Sequence, residues 1–360
     1  MRPTRIIHLP WNVGGNPIGL SRAERELGFV SDVMVKASHS FGYEADYDLD
    51  LNTLTPGPHR RRRVAFLMRA VRRYDVFHYN FGSTVLERRS GDQLRTEIPW
   101  LRRLGKVVLS TWQGDDARPP SHNPWGLKDP DYLEEVRVFQ AKRRQHAVEW
   151  AHRVFCVTPD IRRWLPGSEF RPYASVDPRA IVPSAPPDRD EVVVVHAPSD
   201  RAIKGTDHVV AAVESLRAEG VPIRLDLVEG VPHTEAVARY AAADLAVDQL
   251  NFGWYGGFAV EVMAMRRPVL CAILDGEVWD NPLMAECPIV RTSIETLKED
   301  LRSLVADRAR RHELGAASRR YVEKHHDPRR IALQNLEGLV PIPGDAHSLP
   351  SSVMTATEPS

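Results

Sequence analysis

The chain of 360 residues has few cysteines, no net charge and no apolar run long enough to span a bilayer. Its three cysteines, Cys156, Cys271 and Cys287, lie far apart and follow no metal-ligand spacing. Cys156 and Cys271 fall inside apolar runs, where a thiol acts as a small hydrophobe. Lys plus Arg number 48 and Asp plus Glu also 48, so no global field draws the protein to nucleic acid or a membrane. Any electrostatic partner must therefore be met by a local patch. The first residues enter a strand with no secretory leader ahead of them, and the sparse, odd cysteines suit a reducing compartment. The expectation is a cytoplasmic protein. No internal repeat occurs at solenoid spacing.

What is present is ordinary globular composition, 42% apolar and 27% charged, at a length that suits two hydrophobic cores better than one. Short apolar runs alternate with longer amphipathic stretches, the pattern of parallel sheets covered by helices. Arg5–Leu9, Asp32–Lys36, Val76–Tyr79, Lys106–Thr111 and Arg153–Thr158 read as strands, with a first helix from about Ser21. Ser175–Glu191 then breaks the pattern with Pro178, Pro183, Pro186 and Pro187 amid charge. The pattern restarts at Val192–His196 and repeats at Ile223–Val228, Leu245–Asp248 and Pro268–Ile273. The expected organisation is α/β throughout: two doubly wound, Rossmann-like parallel-sheet domains over 1–178 and 192–325, joined by a linker over 179–191. A helix over 326–340, near Asp327–Leu339, returns to the first domain, and a disordered tail follows over 341–360. Ligands of such sheets bind at the carboxyl ends of the strands, facing the expected central cleft.

Two stretches carry chemistry. His196-Ala-Pro-Ser-Asp-Arg-Ala-Ile-Lys-Gly-Thr206 follows a buried strand and opens the helix Asp207–Ala218. Free amides there, with Arg201 and Lys204, would hold a diphosphate; a merely polar helix entry is the competing reading. Gly253-Trp-Tyr-Gly-Gly-Phe-Ala-Val-Glu-Val-Met-Ala-Met-Arg-Arg-Pro-Val269 joins a Gly-rich loop to an apolar helix with one carboxylate, Glu261. Glycines let a ligand approach the backbone, and a lone carboxylate on an apolar helix needs a partner such as a ribose hydroxyl.

On these residues the chain resembles the family 4 glycosyltransferases, retaining enzymes of the GT-B fold, most specifically from Val192 to about Glu323. Lys204-Gly205 matches the family's Lys-Gly motif, and Tyr255, Gly256, Glu261, Ala264, Pro268 and Val269 match its Glu-x7-Glu motif. The resemblance implies that Glu261 holds the donor ribose, that Arg201 and Lys204 neutralise the diphosphate in place of a metal, and that Gly256-Gly257-Phe258 faces sugar and phosphate. Gly14 and Gly15 would approach the same phosphates from the first domain. It further implies a UDP- or GDP-type donor, no cofactor, and transfer of a hexose-type sugar with retention to an acceptor not named by the sequence. Base recognition would use backbone near Val231–Glu235.

The chain departs from the family twice. Gly253 stands where the first motif Glu belongs; Asp248 is the nearest alternative carboxylate, with a structural strand-end role as its competitor. In Leu109-Ser-Thr-Trp-Gln-Gly-Asp-Asp-Ala-Arg118, Gln113 replaces the family's His, with Asp116 at the matching Asp. Gln donates hydrogen bonds but exchanges no proton near neutral pH. The front-face mechanism proposed for the family lets the leaving phosphate take the acceptor proton, so catalysis would rest on Arg201, Lys204, Gln113 and Asp116. The Asp115-Asp116 pair is not read as a metal site.

Arg60–Arg63 with Arg69, Arg72 and Arg73 forms the basic face of an amphipathic helix, either solvated or, as in relatives with lipid-linked acceptors, resting on the inner face of a membrane. His78 would touch acceptor or serve as a core histidine; His122 and Trp125 would line an acceptor pocket. The rival to a transferase is a nucleotide-sugar-binding protein or partner subunit without catalysis, with a GT-B nucleotide-sugar epimerase behind it.

Overall fold

The structure, a computed structural model, describes residues 2–38, 42–90, 93–119, 130–185, 189–273 and 282–344. The chain forms two units, Met1–Ser175 with Pro328–Ser360, and Val176–Asp327.

In the first unit β1 (Arg5–Leu9), β2 (Val30–Val35), β3 (Tyr47–Asp48), β4 (Val76–Asn80), β7 (Val107–Trp112), β8 (Arg153–Cys156) and β9 (Glu169–Phe170) form a parallel sheet ordered β3-β2-β1-β4-β7-β8-β9. A separate antiparallel hairpin pairs β5 (Arg88–Ser90) with β6 (Gln93–Arg95). Successive side chains of a strand face opposite sides of the sheet, and the sequence loads both sides with apolar groups. Ile6, Val76, Leu109 and Phe155 pack under α1 (Asn16–Glu26) and α12 (Pro328–Leu336), through Leu20, Ala23, Ile331 and Leu336. Ile7, Phe77, Tyr79 and Val108 pack under α2 (Pro56–Arg73) and α3 (Ile98–Arg103), through Leu67, Ala70, Ile98 and Leu101. Leu336 is 0% exposed, and truncating such a leucine to alanine costs about 2–5 kcal/mol. α4 (Pro130–Trp150) runs between β7 and β8.

Helix α1 starts at Asn16, not near Ser21. Gly15, at φ 69°, turns the chain into the helix, and Pro17 supplies a φ already suited to its first turn.

In the second unit β10 (Val192–His196), β11 (Ile223–Leu227), β12 (Leu245–Val247), β13 (Val269–Cys271) and β14 (Val290–Arg291) form a parallel sheet ordered β11-β10-β12-β13-β14. All of β10 is buried, as four consecutive valines require. Helices α5 (Arg201–Lys204), α6 (Thr206–Ala218), α7 (His233–Ala242), α8 (Gly257–Ala264), α9 (Pro282–Ala285), α10 (Leu297–Ala306) and α11 (Arg308–His325) complete the unit. Because β10 lies between β11 and β12, consecutive connections diverge to opposite sides there. That switch point leaves a crevice at the strands' carboxyl ends. In the first unit the same divergence falls between β1 and β4.

Candidate functional site

The second unit's switch point gathers most of the motif residues. Lys204 ends α5, one short turn beyond β10, and Asp248 follows β12 directly. Lys204 Nζ donates to Asp248 Oδ1 at 2.7 Å and to Gln249 Oε1 at 2.9 Å. The side chains are 11% and 0% exposed, so this is a buried pair whose partners depend on each other. The other oxygen of Asp248 accepts the Gly256 N–H at 2.6 Å, which fixes the start of α8. A Cβ on Gly256 would lie 3.3 Å from Lys204 Nζ, so glycine lets the lysine reach the loop. Gly205, at φ 73°, makes the turn from α5 into α6.

Around this centre stand two further charge pairs. Arg201 is half exposed and grips Glu229, just after β11, through Nε (2.8 Å) and NH2 (2.5 Å). Glu261 on α8 accepts from His233 Nε2 at 2.9 Å. That hydrogen bond, opposed by burial, holds His233 above the ordinary imidazole range. Gly257 opens α8, and Phe258 meets the Tyr240 ring edge to face at 4.9 Å. Behind the loop, Trp254 stacks on Tyr255, whose hydroxyl pairs with Tyr321 (2.9 Å) and His326 (3.1 Å). His196 is buried and bonded to Val247 O and Thr206 Oγ1, and burial lowers its pKa, so it pins β10 as a neutral ring. Arg201, Lys204, Gly256, Gly257 and Glu261 thus share one sheet edge. Glu229, Asp248 and His233, which engage three of them, were not all legible; only Asp248 stood out, as the carboxylate closing a strand.

In the first unit Gly14 (φ 62°) and Gly15 form the loop from β1 into α1. Gln113 follows β7, and its Oε1 lies 3.9 Å from where a Cβ of Gly14 would stand. Asp116 closes the loop after β7: its Oδ1 accepts from Gln113 N (3.0 Å) and Gly114 N (2.7 Å). Burial pushes its carboxyl up to about 6, against the pull of those amides and of Arg118. Asp116 therefore serves the loop. Several buried polar atoms at this edge meet no partner among the described residues: Asn12 Oδ1, Asn80 Oδ1 and Gln113 Nε2.

His78 is not placed to touch an acceptor. It lies mid-strand between His8 and Leu109, 1% exposed, and meets Thr111 Oγ1 at 2.7 Å. Burial first, then the nearby His8, drives its pKa well down, so it is a neutral core ring. His8, Glu24 and His78 offer potential ligand atoms within 4.8 Å of one another. Glu24 Oε2, however, already accepts from His8 (2.8 Å) and Ser31 (2.6 Å), and His78 has Thr111. This is a polar core network. His122, Trp125 and the tail beyond 344 lie outside the described residues. Among the described residues no helix is long and apolar enough to cross a membrane.

No protein-family model and no curated protein sequence matches the chain. Solved structures do. A sucrose-phosphate synthase from Thermosynechococcus elongatus is similar with TM-score 0.64 and 18% identity, over 92% of this chain and 97% of that one. WaaG, a glycosyltransferase involved in lipopolysaccharide biosynthesis, is similar with TM-score 0.56 and 15% identity, over 93% and 100%. A UDP-GlcNAc 2-epimerase from Neisseria meningitidis, bound to UDP-GlcNAc, is similar with TM-score 0.54 and 12% identity, over 93% and 99%. What is shared at such identities is the fold. The chain has the GT-B fold, with two parallel-sheet α/β domains.

Proposed function

We propose that the chain is a glycosyltransferase that takes a hexose-type sugar from a UDP- or GDP-linked donor and passes it to an acceptor hydroxyl with retention. The observation that carries this reading is the set of Lys204, Asp248 and the Gly256 amide at the second unit's switch point, flanked by Glu261. A diphosphate entering there offers Lys204 a more highly charged partner than Asp248, and the α8 N-terminus adds free amides. Arg201 supplies a second cation as it exchanges Glu229 for phosphate. Glu261, its carboxylate held by a mostly exposed His233, accepts the ribose hydroxyls.

The reaction breaks the bond between the anomeric carbon and the diphosphate oxygen and forms one from that carbon to the acceptor oxygen. The acceptor proton passes to the leaving diphosphate, whose growing charge Lys204 and Arg201 stabilise. This needs no imidazole, which suits Gln113 in the first unit as a hydrogen-bond donor through its Nε2, which meets no partner among the described residues. These side chains serve the diphosphate without a metal.

A second reading, epimerisation, draws on the 2-epimerases among the fold's neighbours, one of them bound to UDP-GlcNAc. Both chemistries begin with a bound nucleotide sugar. Incubation with labelled UDP- and GDP-sugars separates them. Release of free nucleotide, with the sugar passed to water or an added acceptor, supports transfer. A sugar inverted at C2 and still attached to nucleotide supports epimerisation, and binding without either supports a non-catalytic binder.

A further inference from the structure

A groove of about 530 Å³ lies in the first unit between the edge strand β3 and the crossover helix α2. Its volume falls within the range of small-molecule sites, roughly 300–1,000 Å³. Helical spacing builds one wall: Arg62, Phe66, Arg69 and Arg73 recur along one stripe of α2. Beside it, Leu67, Ala70 and Tyr74 are buried in the core, with Phe66 packed against them and Ala70 and Tyr74 at the floor of the groove. Neither Arg62 nor Arg69 meets a carboxylate among the described residues. Arg62 donates to Leu49 O at 2.9 Å and Arg69 to Ala65 O at 3.2 Å, which leaves most of their N–H groups facing outward. Arg73 is held by Asp32 at 3.2 Å.

The opposite wall is the edge strand. Asp46 is fixed by Arg25 (2.7 Å) and by the Val33 N–H (2.7 Å), and Asp48 by Ser38 and the Asp50 N–H (2.7 Å), so both carboxylates are already engaged. Between the walls, Tyr47 and Phe66 meet edge to face at 5.6 Å and present half-buried rings. Guanidinium groups beside half-buried aromatic carbon match a phosphate and a C–H-rich ring. We propose that this groove is a second binding site that takes a sugar phosphate, its phosphate on Arg62 and Arg69 and its ring against Tyr47 and Phe66. Its lining shares no residue with the donor set, and it does not depend on the transferase reading.

The test is calorimetric titration of the intact chain with glucose 6-phosphate, glucose and inorganic phosphate, on wild type, the Arg62→Gln/Arg69→Gln double variant and Phe66→Ala. Both arginines are exposed, so the double variant keeps its fold, with far-UV circular dichroism as the check. Glucose 6-phosphate should bind more tightly than either fragment. The double variant should weaken it about tenfold or more, the scale of charge-assisted hydrogen bonds to phosphate, and Phe66→Ala should weaken it less. No binding of glucose 6-phosphate, or equal binding of inorganic phosphate, would overturn the proposal. So would unchanged affinity in the double variant. Vesicles of equal parts phosphatidylglycerol and phosphatidylcholine provide the remaining arm. If they bind through Arg62 and Arg69 and glucose 6-phosphate does not displace them, the stripe serves a membrane and the sugar-phosphate site is wrong.

Discussion

The carboxyl edges of the two sheets solve the same topological problem with a different balance of charge and amide. In the second unit the charged groups satisfy one another: Lys204 with Asp248, Arg201 with Glu229, His233 with Glu261. In the first unit one charged pair, Arg118 with Asp160, stands beside a set of amides, and Asn12 Oδ1, Asn80 Oδ1 and Gln113 Nε2 meet no partner among the described residues. A ligand at the second edge must compete for partners already engaged, which favours a group as highly charged as a diphosphate. A ligand at the first edge only has to supply hydrogen bonds that are missing, which suits neutral hydroxyls. On the proposed function, phosphate recognition falls to the second sheet and hydroxyl recognition to the amides of the first.

The largest expected effect breaks the paired edge. Lys204→Ala leaves Asp248 buried without its cation, a loss of about 3–5 kcal/mol of stability, visible as a lowered melting temperature. The same change should weaken nucleoside diphosphate binding by about a hundredfold, as losing a charge-assisted phosphate contact implies. Wild-type affinity in this variant would remove phosphate recognition from the second sheet.

Asp116 gives the next largest effect, in the amide edge. Its folded pKa, about 6, lies above the ordinary value of 3.8, so the protonated form is the favoured one in the folded state. Its stabilising contribution is complete below the ordinary value and is lost as pH rises through the folded one, about 3 kcal/mol in all. The stability of Asp116→Asn relative to wild type should therefore climb by that amount between about pH 4 and pH 6. A flat difference in urea unfolding across that window would show that the loop amides hold Asp116 ionised.

Smaller still, Glu261→Ala should weaken nucleotide binding about tenfold, the worth of hydrogen bonds to a charged acceptor. Wild type should discriminate against a dideoxyribose nucleotide, and the variant should not. The smallest effect concerns His233. Its raised pKa means that the pair with Glu261 is complete below the ordinary imidazole value and lost as pH rises through the raised one. Since ribose competes for Glu261, nucleotide affinity should rise about threefold toward alkaline pH, the scale of a mostly exposed pair. His233→Ala should flatten that profile in a titration series.

Sequence alone reaches the second edge further than the first. Lys204-Gly205 and the Gly256–Glu261 stretch announce themselves because glycine, cation and carboxylate cluster at strand-to-helix turns. The groups that engage them, Glu229 and His233, follow a different strand, and only the β11-β10-β12 order brings them near. The four-valine strand and helices α2, α6 and α12 are legible in the sequence, while the long α4 and α11 are not among the helices it marks. Strands β3, β9 and β14 have two residues each, too few for a period to register. His78 misleads for a related reason. Its run Val-Phe-His-Tyr-Asn does not say where the strand ends, and parallel pairing on both sides makes it a core residue.

The most direct measurement is a calorimetric titration of the intact chain with UDP and GDP, with Lys204→Ala and Glu261→Ala in parallel. One saturable site for at least one nucleotide, weakened strongly by the first change and moderately by the second, is the expected result. Absence of binding to both nucleotides, or affinity untouched by both changes, would contradict a donor site at the carboxyl edge of the second sheet.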